Sequence, residues 1–225
     1  MGRTLKAAIL AAGLIAAGTI VTFVVAPPAD AATGPSASAL LAKVKTCSVA
    51  SHGKYATDDG ESSTVNICKS GSAFFWKADM DIDCDGVRTS KCNEDTDPWY
   101  QNQTSFETSK GKSFQADSTH YFVIPLPSSR FSYSSNGIKP GSVAAIIYNN
   151  KVVYAVFADE GPNNIIGEAS YATAKALGIN PDPENGGVDS GVTYIVFPGS
   201  VPSPIESNTA IDSKGASAAT AFVNS

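Results

Sequence analysis

Asp159 and Glu168 stand nine residues apart in "FADEGPNNIIGEASYATAKALGI", residues 157–179, with the Gly161-Pro162 turn between them. Asp159 closes an apolar run and Glu168 opens a helical pattern, so the turn can bring the two carboxyl groups back towards each other. Two carboxyls so placed suit glycosidic hydrolysis. A protonated one delivers a proton to the leaving oxygen and an ionised one activates water, about 6.5–9.5 Å away when the anomeric configuration inverts. Taken alone, the same two residues serve equally well as a turn former and as a favourable charge in a helix's first turn. Glu160 adds a third carboxyl, but the Gly-Pro turn and the spacing to Glu168 are counted from Asp159, which selects Asp159 as the partner.

A second acidic set lies in "ADMDIDCDG", where Asp79, Asp81, Asp83 and Asp85 alternate and would share one face of a strand. Three uses remain open for it. It can be a solvated acidic face, or the first half of a calcium loop counted from Asp81, although Cys92 stands where a bidentate Glu is required. It can also bind substrate, because carboxylates accept charge-assisted hydrogen bonds from a sugar ammonium. Trp99 and Tyr100 follow Pro98 in a polar stretch and are candidate platforms for sugar faces, as is Tyr121; Trp76 in "AFFWK" reads as core. His52 and His120 are the only histidines, too scattered for a triad or a zinc site, so neither metal nor cofactor is expected. Nucleophile-elbow, phosphate-loop, dinucleotide and zinc-protease motifs are all missing.

The elements that must position these groups are mostly strands. Residues 72–83, 119–127, 142–159 and 191–199 are rich in Val, Ile, Phe and Tyr and bounded by Gly, Pro, Asn and Ser. Asn149-Asn150 interrupts the third run, and Asn tolerates the positive φ of a two-residue turn, so the two halves form an antiparallel hairpin. A short helix is expected from "ALLAKVKTC". Another follows Glu168, with Ala169, Ala172, Ala176 and Leu177 on one face and Gly178 as its stop.

The chain of 225 residues carries a net charge of −5 and is 43% hydrophobic. Beyond its first residues it is one domain's length of loop-rich, foldable sequence, and the acidic balance argues against a nucleic-acid partner. Residues 1–31 read as a secretory signal peptide: Arg3 and Lys6, an apolar run from Ala7 to Val25, then an Ala29-Asp30-Ala31 cleavage site. Residues 32–44 form a linker and short N-terminal segment. The protein is expected to be secreted, extracellular and monomeric, with no stable membrane association after cleavage. An even count of four cysteines in an exported chain implies two disulfides. Of three pairings, Cys47–Cys68 with Cys84–Cys92 is preferred, because "CDGVRTSKC" closes easily. Asn102-Gln103-Thr104 has the pattern of a glycosylation acceptor.

"VYAVFADEGPNNIIGEASYATAKALGI", followed by "VTYIVFPGS" and preceded by "DMDIDCDG", resembles the family 75 glycoside hydrolases, secreted endo-chitosanases, over most of residues 45–200. The resemblance implies that Asp159 and Glu168 are the catalytic pair of an inverting enzyme that cleaves β-1,4 links between glucosamine units of chitosan. It makes residues 45–225 the catalytic domain, with Glu168 the candidate acid and Asp159 the candidate base, although the roles can be exchanged. The same segment is similar to the core of double-psi β-barrels in rare lipoprotein A, expansins and family 45 endoglucanases. That likeness implies a mainly β fold, a closed six-stranded double-psi barrel with short helices and a groove across one face, and does not by itself name a substrate. Rival expectations are an expansin-like polysaccharide-binding protein that does not cut, or a lytic transglycosylase or endoglucanase on the same barrel.

Overall fold

The computed structural model describes residues 34–225; the leader expected at 1–31 lies outside them. Eight strands and three α-helices follow in the order α1 (Ala37–Lys43), β1 (Ser48–Val49), β2 (Cys68–Ser70), β3 (Ala73–Asp83), β4 (Tyr121–Pro125), β5 (Val143–Tyr148), β6 (Lys151–Gly161), β7 (Glu168–Ser170), α2 (Tyr171–Leu177), β8 (Val188–Val196) and α3 (Asn208–Asn224). Strands pair in the order β3-β7-β4-β6-β5-β8, and β8 returns to β3, which closes a six-stranded barrel. The β1–β2 pair extends β3 at its N-terminal end. No helix among the described residues is long and apolar enough to cross a membrane.

The apolar runs of the sequence become strands buried on both faces, which is why they lack clean alternation. One face, with Phe74, Trp76, Met80, Phe122, Ile146, Phe157 and Tyr194, fills the barrel. Trp76 stacks on Tyr194 with ring centroids 5.3 Å apart, as a core residue should. The opposite face, with Phe75, Tyr121, Val143, Ala145, Val156 and Ile195, is covered by Leu40 and Val44 at the N-terminal end and by Ile211, Ala216, Ala219 and Phe222 of α3.

The expected β5–β6 hairpin is present, with Tyr148 opposite Lys151 and Asn149 and Asn150 at φ 45° and 64°. Both expected disulfides, Cys47–Cys68 and Cys84–Cys92, are formed. Three local details differ from the sequence pattern. Glu168 and Ala169 belong to β7, a three-residue strand, because α2 starts only after Ser170, whose hydroxyl caps it by accepting from Thr173 N. Within α2, Ala172, Thr173, Ala174 and Leu177 are buried, while Ala176 is exposed. Helix α3 was not anticipated, since its Ala, Ser and Gly give almost no amphipathic contrast.

Those small residues are what lets α3 lie flat on the barrel. A Cβ at Gly215 would overlap the Tyr154 ring of β6. A Gly215→Leu variant is therefore expected to lose about 1–3 kcal/mol of stability through overpacking, read as a lower denaturant midpoint; an unchanged midpoint would show that α3 is not held by this contact.

Candidate active site

Four adjacent strands line up the acidic residues that the sequence kept far apart. In the parallel β3–β7 pair, Asp81 is opposite Glu168 and Asp83 opposite Ser170. Ala169 faces Phe122 across the antiparallel β7–β4 pair, which sets Glu168 beside Val123. Val123 is in turn opposite Asp159 of β6. One row thus runs Asp81, Glu168, Val123, Asp159. With Val123 between them, the Cα atoms of Asp159 and Glu168 stand two interstrand spacings apart, about 9.5 Å.

A register shift on β6 decides which way Asp159 points. Phe122 is opposite Phe157, but Val123 is opposite Asp159, so Ala158 is an extra residue in the ladder. Strict alternation would send Asp159 into the barrel with Phe157. The bulge turns it to the outer face, where it meets Asp83 and Asp85.

The outer face here forms a cleft of about 460 Å³. Its lining includes Asp81, Asp83, Asp85, Asp97, Asp159, Glu160, Glu168 and Glu184, together with Val123, Trp99 and Gln101, and no Lys, Arg or His. Among the described residues the only ion pairs join Arg88 to Glu94 and Asp95, on the exposed surface. The cleft is thus a concentrated negative field with no internal counter-charge, suited to a cationic ligand.

The carboxylates are held differently. Asp159 is buried, and its Oδ1 accepts from Ser105 Oγ at 2.6 Å, Ser105 N at 2.9 Å and Glu160 N at 2.8 Å. Its Oδ2 has no hydrogen-bond partner. Burial pushes its pKa up, and the donors on Oδ1 pull it back. Glu168 takes no hydrogen bond from any described residue and is pushed up to about 8, first by desolvation, then by Asp81, Asp159, Asp85 and Asp97. Asp83 is buried and lies well above the usual carboxylate range for the same reasons; its Oδ1 accepts from Tyr121 Oη at 3.0 Å and Asp85 N at 2.6 Å. Asp85, raised to about 7 mainly by desolvation, accepts from Gln101 N at 2.7 Å. One oxygen from each of Asp83, Asp85 and Asp159 lies within 4.8 Å of the other two, a grouping that draws cations.

The run Asp79 to Asp85 is divided. Asp83 and Asp85 join Asp159, whereas Asp79 and Asp81 join Asp58, and Cys92 is tied to Cys84 and cannot complete a calcium loop. Trp99 is 87% exposed at the cleft, as a sugar platform requires. Tyr100 donates to the carbonyl of Gly86 at 2.8 Å and is not part of the lining. Glu160 also lines the cleft, with Oε1 accepting from Tyr133 Oη at 2.6 Å. Ser105, Asp97 and Asp58 had no signal in the sequence, since each reaches the site from a loop whose path follows from tertiary contacts.

The family model for fungal chitosanase of glycosyl hydrolase group 75 matches residues 80–225. Relatives include endo-chitosanase C of Aspergillus oryzae, 32% identical over 73% of this chain and 43% of its own length. Endo-chitosanase B of the same organism is 31% identical over 53% of each chain. An endo-chitosanase of Aspergillus fumigatus is 30% identical over 71% of this chain and 69% of its own length. The chain thus spans about half the length of the first relatives it matches.

Crowding these acids has a consequence for stability. Asp81, Asp85, Asp79 and Glu168, raised to about 6, 7, 8 and 8, bind their protons more tightly folded than unfolded. Their contribution is complete below about pH 4, where unfolded carboxylates titrate, and is lost as pH rises through 6 to 8. His120, lowered by burial, acts oppositely but only below about 6.5. The melting temperature is expected to fall between about pH 6.5 and 8.5; a flat or rising profile in thermal melts would show that the acids are compensated in solution.

Proposed function

The chain belongs to glycosyl hydrolase group 75, and on that premise we propose that it is an exported endo-acting enzyme that hydrolyses the β-1,4 bonds of chitosan with inversion, Glu168 acting as general acid and Asp159 as general base. The observation that carries this reading is the pair itself. Two carboxyls flank Val123 on the floor of a cleft that has eight acidic side chains and no basic one. Chitosan is a polycation, and such a cleft attracts it and orders its ammonium groups.

The two environments support the division of roles. Glu168 is pushed up to about 8 with nothing donating to it, so it keeps its proton at neutral pH and can give it to the glycosidic oxygen. Asp159 has three donors on Oδ1, which favour the ionised form, and a free Oδ2 to take a proton from water. Val123 keeps Glu168 and Asp159 on strands that are not direct neighbours, and single displacement needs a water between the sugar and Asp159. Protonation of the leaving oxygen by Glu168 and attack of the water at the anomeric carbon on the opposite face break the bond in one step. Asp83 and Asp85 beside Asp159 and the exposed Trp99 are candidates for holding the sugars, with an ammonium shared by the carboxylates and a pyranose face on the indole. The two disulfides suit a protein released into an oxidising compartment.

The direct test follows viscosity and reducing ends of soluble chitosan. Wild type is expected to lower viscosity rapidly, and Glu168→Gln and Asp159→Asn to lose at least about a hundredfold in kcat each. Binding of chitosan by wild type without cleavage would instead leave a polysaccharide-binding module.

The pH profile of kcat/KM is expected to be bell-shaped. The alkaline limb, near 8, reflects loss of the Glu168 proton with Asp79, Asp81, Asp83, Asp85, Asp97 and Asp159 around it. The acid limb reflects protonation of Asp159, above the ordinary carboxylate range. Ser105→Ala removes the hydroxyl donor to the ionised base. It should lower kcat about tenfold or more and move the acid limb to higher pH, while a limb that stays in place would mean Ser105 only supports the loop.

A further inference from the structure

The cleft that holds Asp159 and Glu168 has a neighbour. Across a ridge formed by Pro183 and Glu184 lies a second hollow of about 440 Å³, and these two residues line both spaces. The ridge is a closed turn. Asp182 Oδ1 accepts from Glu184 N at 3.0 Å and Asn185 N at 2.9 Å, while Gly186 N donates to Asp182 O and Gly187 N to Asn180 O. Gly187, at φ +78°, lies so close to the Met80 carbonyl of β3 that a Cβ there would overlap it. The ridge is thus seated on the strand that carries Asp81 and Asp83, and the two hollows stand in a fixed relation.

One wall of the second hollow is Tyr171, the first residue of α2, and its ring packs against the apolar cluster beneath the helices. Lys91, next to Cys92 of the Cys84–Cys92 disulfide, sets its Nζ 5.3 Å from the centroid of that ring. Lys91 is exposed and makes no ion pair among the described residues, although Asp95, Asp182 and Glu184 line the same hollow. A cation over an aromatic face at an exposed site is held only weakly. Lys91 therefore covers the ring without committing it, and the apolar face of a sugar can take its place. We propose that this hollow is a distal subsite, in which one pyranose of a polysaccharide chain that has crossed the ridge stacks on Tyr171 and displaces Lys91.

That the chain is chitosan rests on the reading above; the ring, its cover and the shared ridge do not. An endo-acting enzyme holds a chain that runs out of the cleft at both ends, so sugars remote from the cut meet the protein wherever the groove continues. Recognition differs between the two spaces. The cleft has eight acids and no base, whereas here Lys91 stands among three acids, so the attraction for a sugar comes mainly from the ring face and less from charge. Once displaced, the Lys91 ammonium still has those three acids around it, which keeps the cost of moving it small.

Calorimetry in a Glu168→Gln background, with the trimer and the octamer of glucosamine, separates this hollow from the cleft. The octamer should bind more tightly than the trimer, and adding Tyr171→Ala should weaken the octamer about fivefold while leaving the trimer unmoved. Lys91→Ala removes the competing cation and should tighten the octamer about two- to fivefold, a change of opposite sign that a structural role for these residues would not produce. Tyr171→Phe keeps the ring and should leave octamer affinity unchanged. Lys91 is exposed, so its variant keeps the fold even if Tyr171→Ala does not. An octamer that binds no better than the trimer, or whose affinity is unchanged or weakened in Lys91→Ala, would overturn the subsite. Equal weakening of both oligomers by Tyr171→Ala would overturn it too, placing the ring's effect in the fold. If wild type fails to cut chitosan, the catalytic reading falls while the octamer's dependence on Lys91 and Tyr171 still decides the subsite.

Discussion

The pairing of β7 between β3 and β4 is the constraint on which the rest depends. Three residues, Glu168 to Ser170, complete the ring of strands and carry one of the two candidate catalytic acids at their first position. So short a strand has little intrinsic stability and is fixed by what surrounds it. Ser170 Oγ donates to Thr119 O at 2.8 Å, accepts from Tyr121 N at 3.2 Å and caps α2 through Thr173 N. Ala169 is buried in the barrel core. Closure of the barrel, the start of α2 and the place of Glu168 are therefore a single structural event.

The outer face across these strands carries an electrostatic burden that the core must offset. Carboxyl groups from β3, β6, β7 and the loops at 85 and 97 converge without a single basic neighbour in the cleft. Each raises the others' proton affinity, so at neutral pH the free protein carries strain that a cationic ligand would relieve. Two apolar clusters, one inside the barrel and one beneath α1 and α3, supply the compensating burial. The disulfide Cys84–Cys92 closes the loop that holds Asp85 against the site. A protein without such reserves could not keep so many like charges in one place.

Differences in support among chemically identical groups are what set their carboxyls apart. Asp159 has its donors concentrated on one oxygen, Glu168 has none, and Asp83 shares a phenol with its own neighbourhood. A cleft of equal carboxyls would titrate as one diffuse buffer. Unequal hydrogen bonding gives these carboxyls unequal proton affinities, and the proposed division into acid and base rests on that difference.

The sequence by itself determined the local features, because turn chemistry and apolar runs act over a few residues. The Asn149-Asn150 hairpin, the main strands, the Gly178 stop, the preferred cysteine pairings and the recurrent stretch around Asp159 and Glu168 were all legible there. Fold class was legible through resemblance to known barrels and not through periodicity, which burial on both faces had erased. What only the tertiary structure decided is register and direction. Alternation alone would turn Asp159 inward; a bulge at Ala158, visible only against β4, turns it outward. The acidic run on β3 looked like one stripe, but loops from 58 and 105 and the strand at 159 split it into two groups and bring Ser105 to Asp159. Those partners are 54 residues apart in the chain, and no local preference specifies a contact of that range; it follows from closing the barrel.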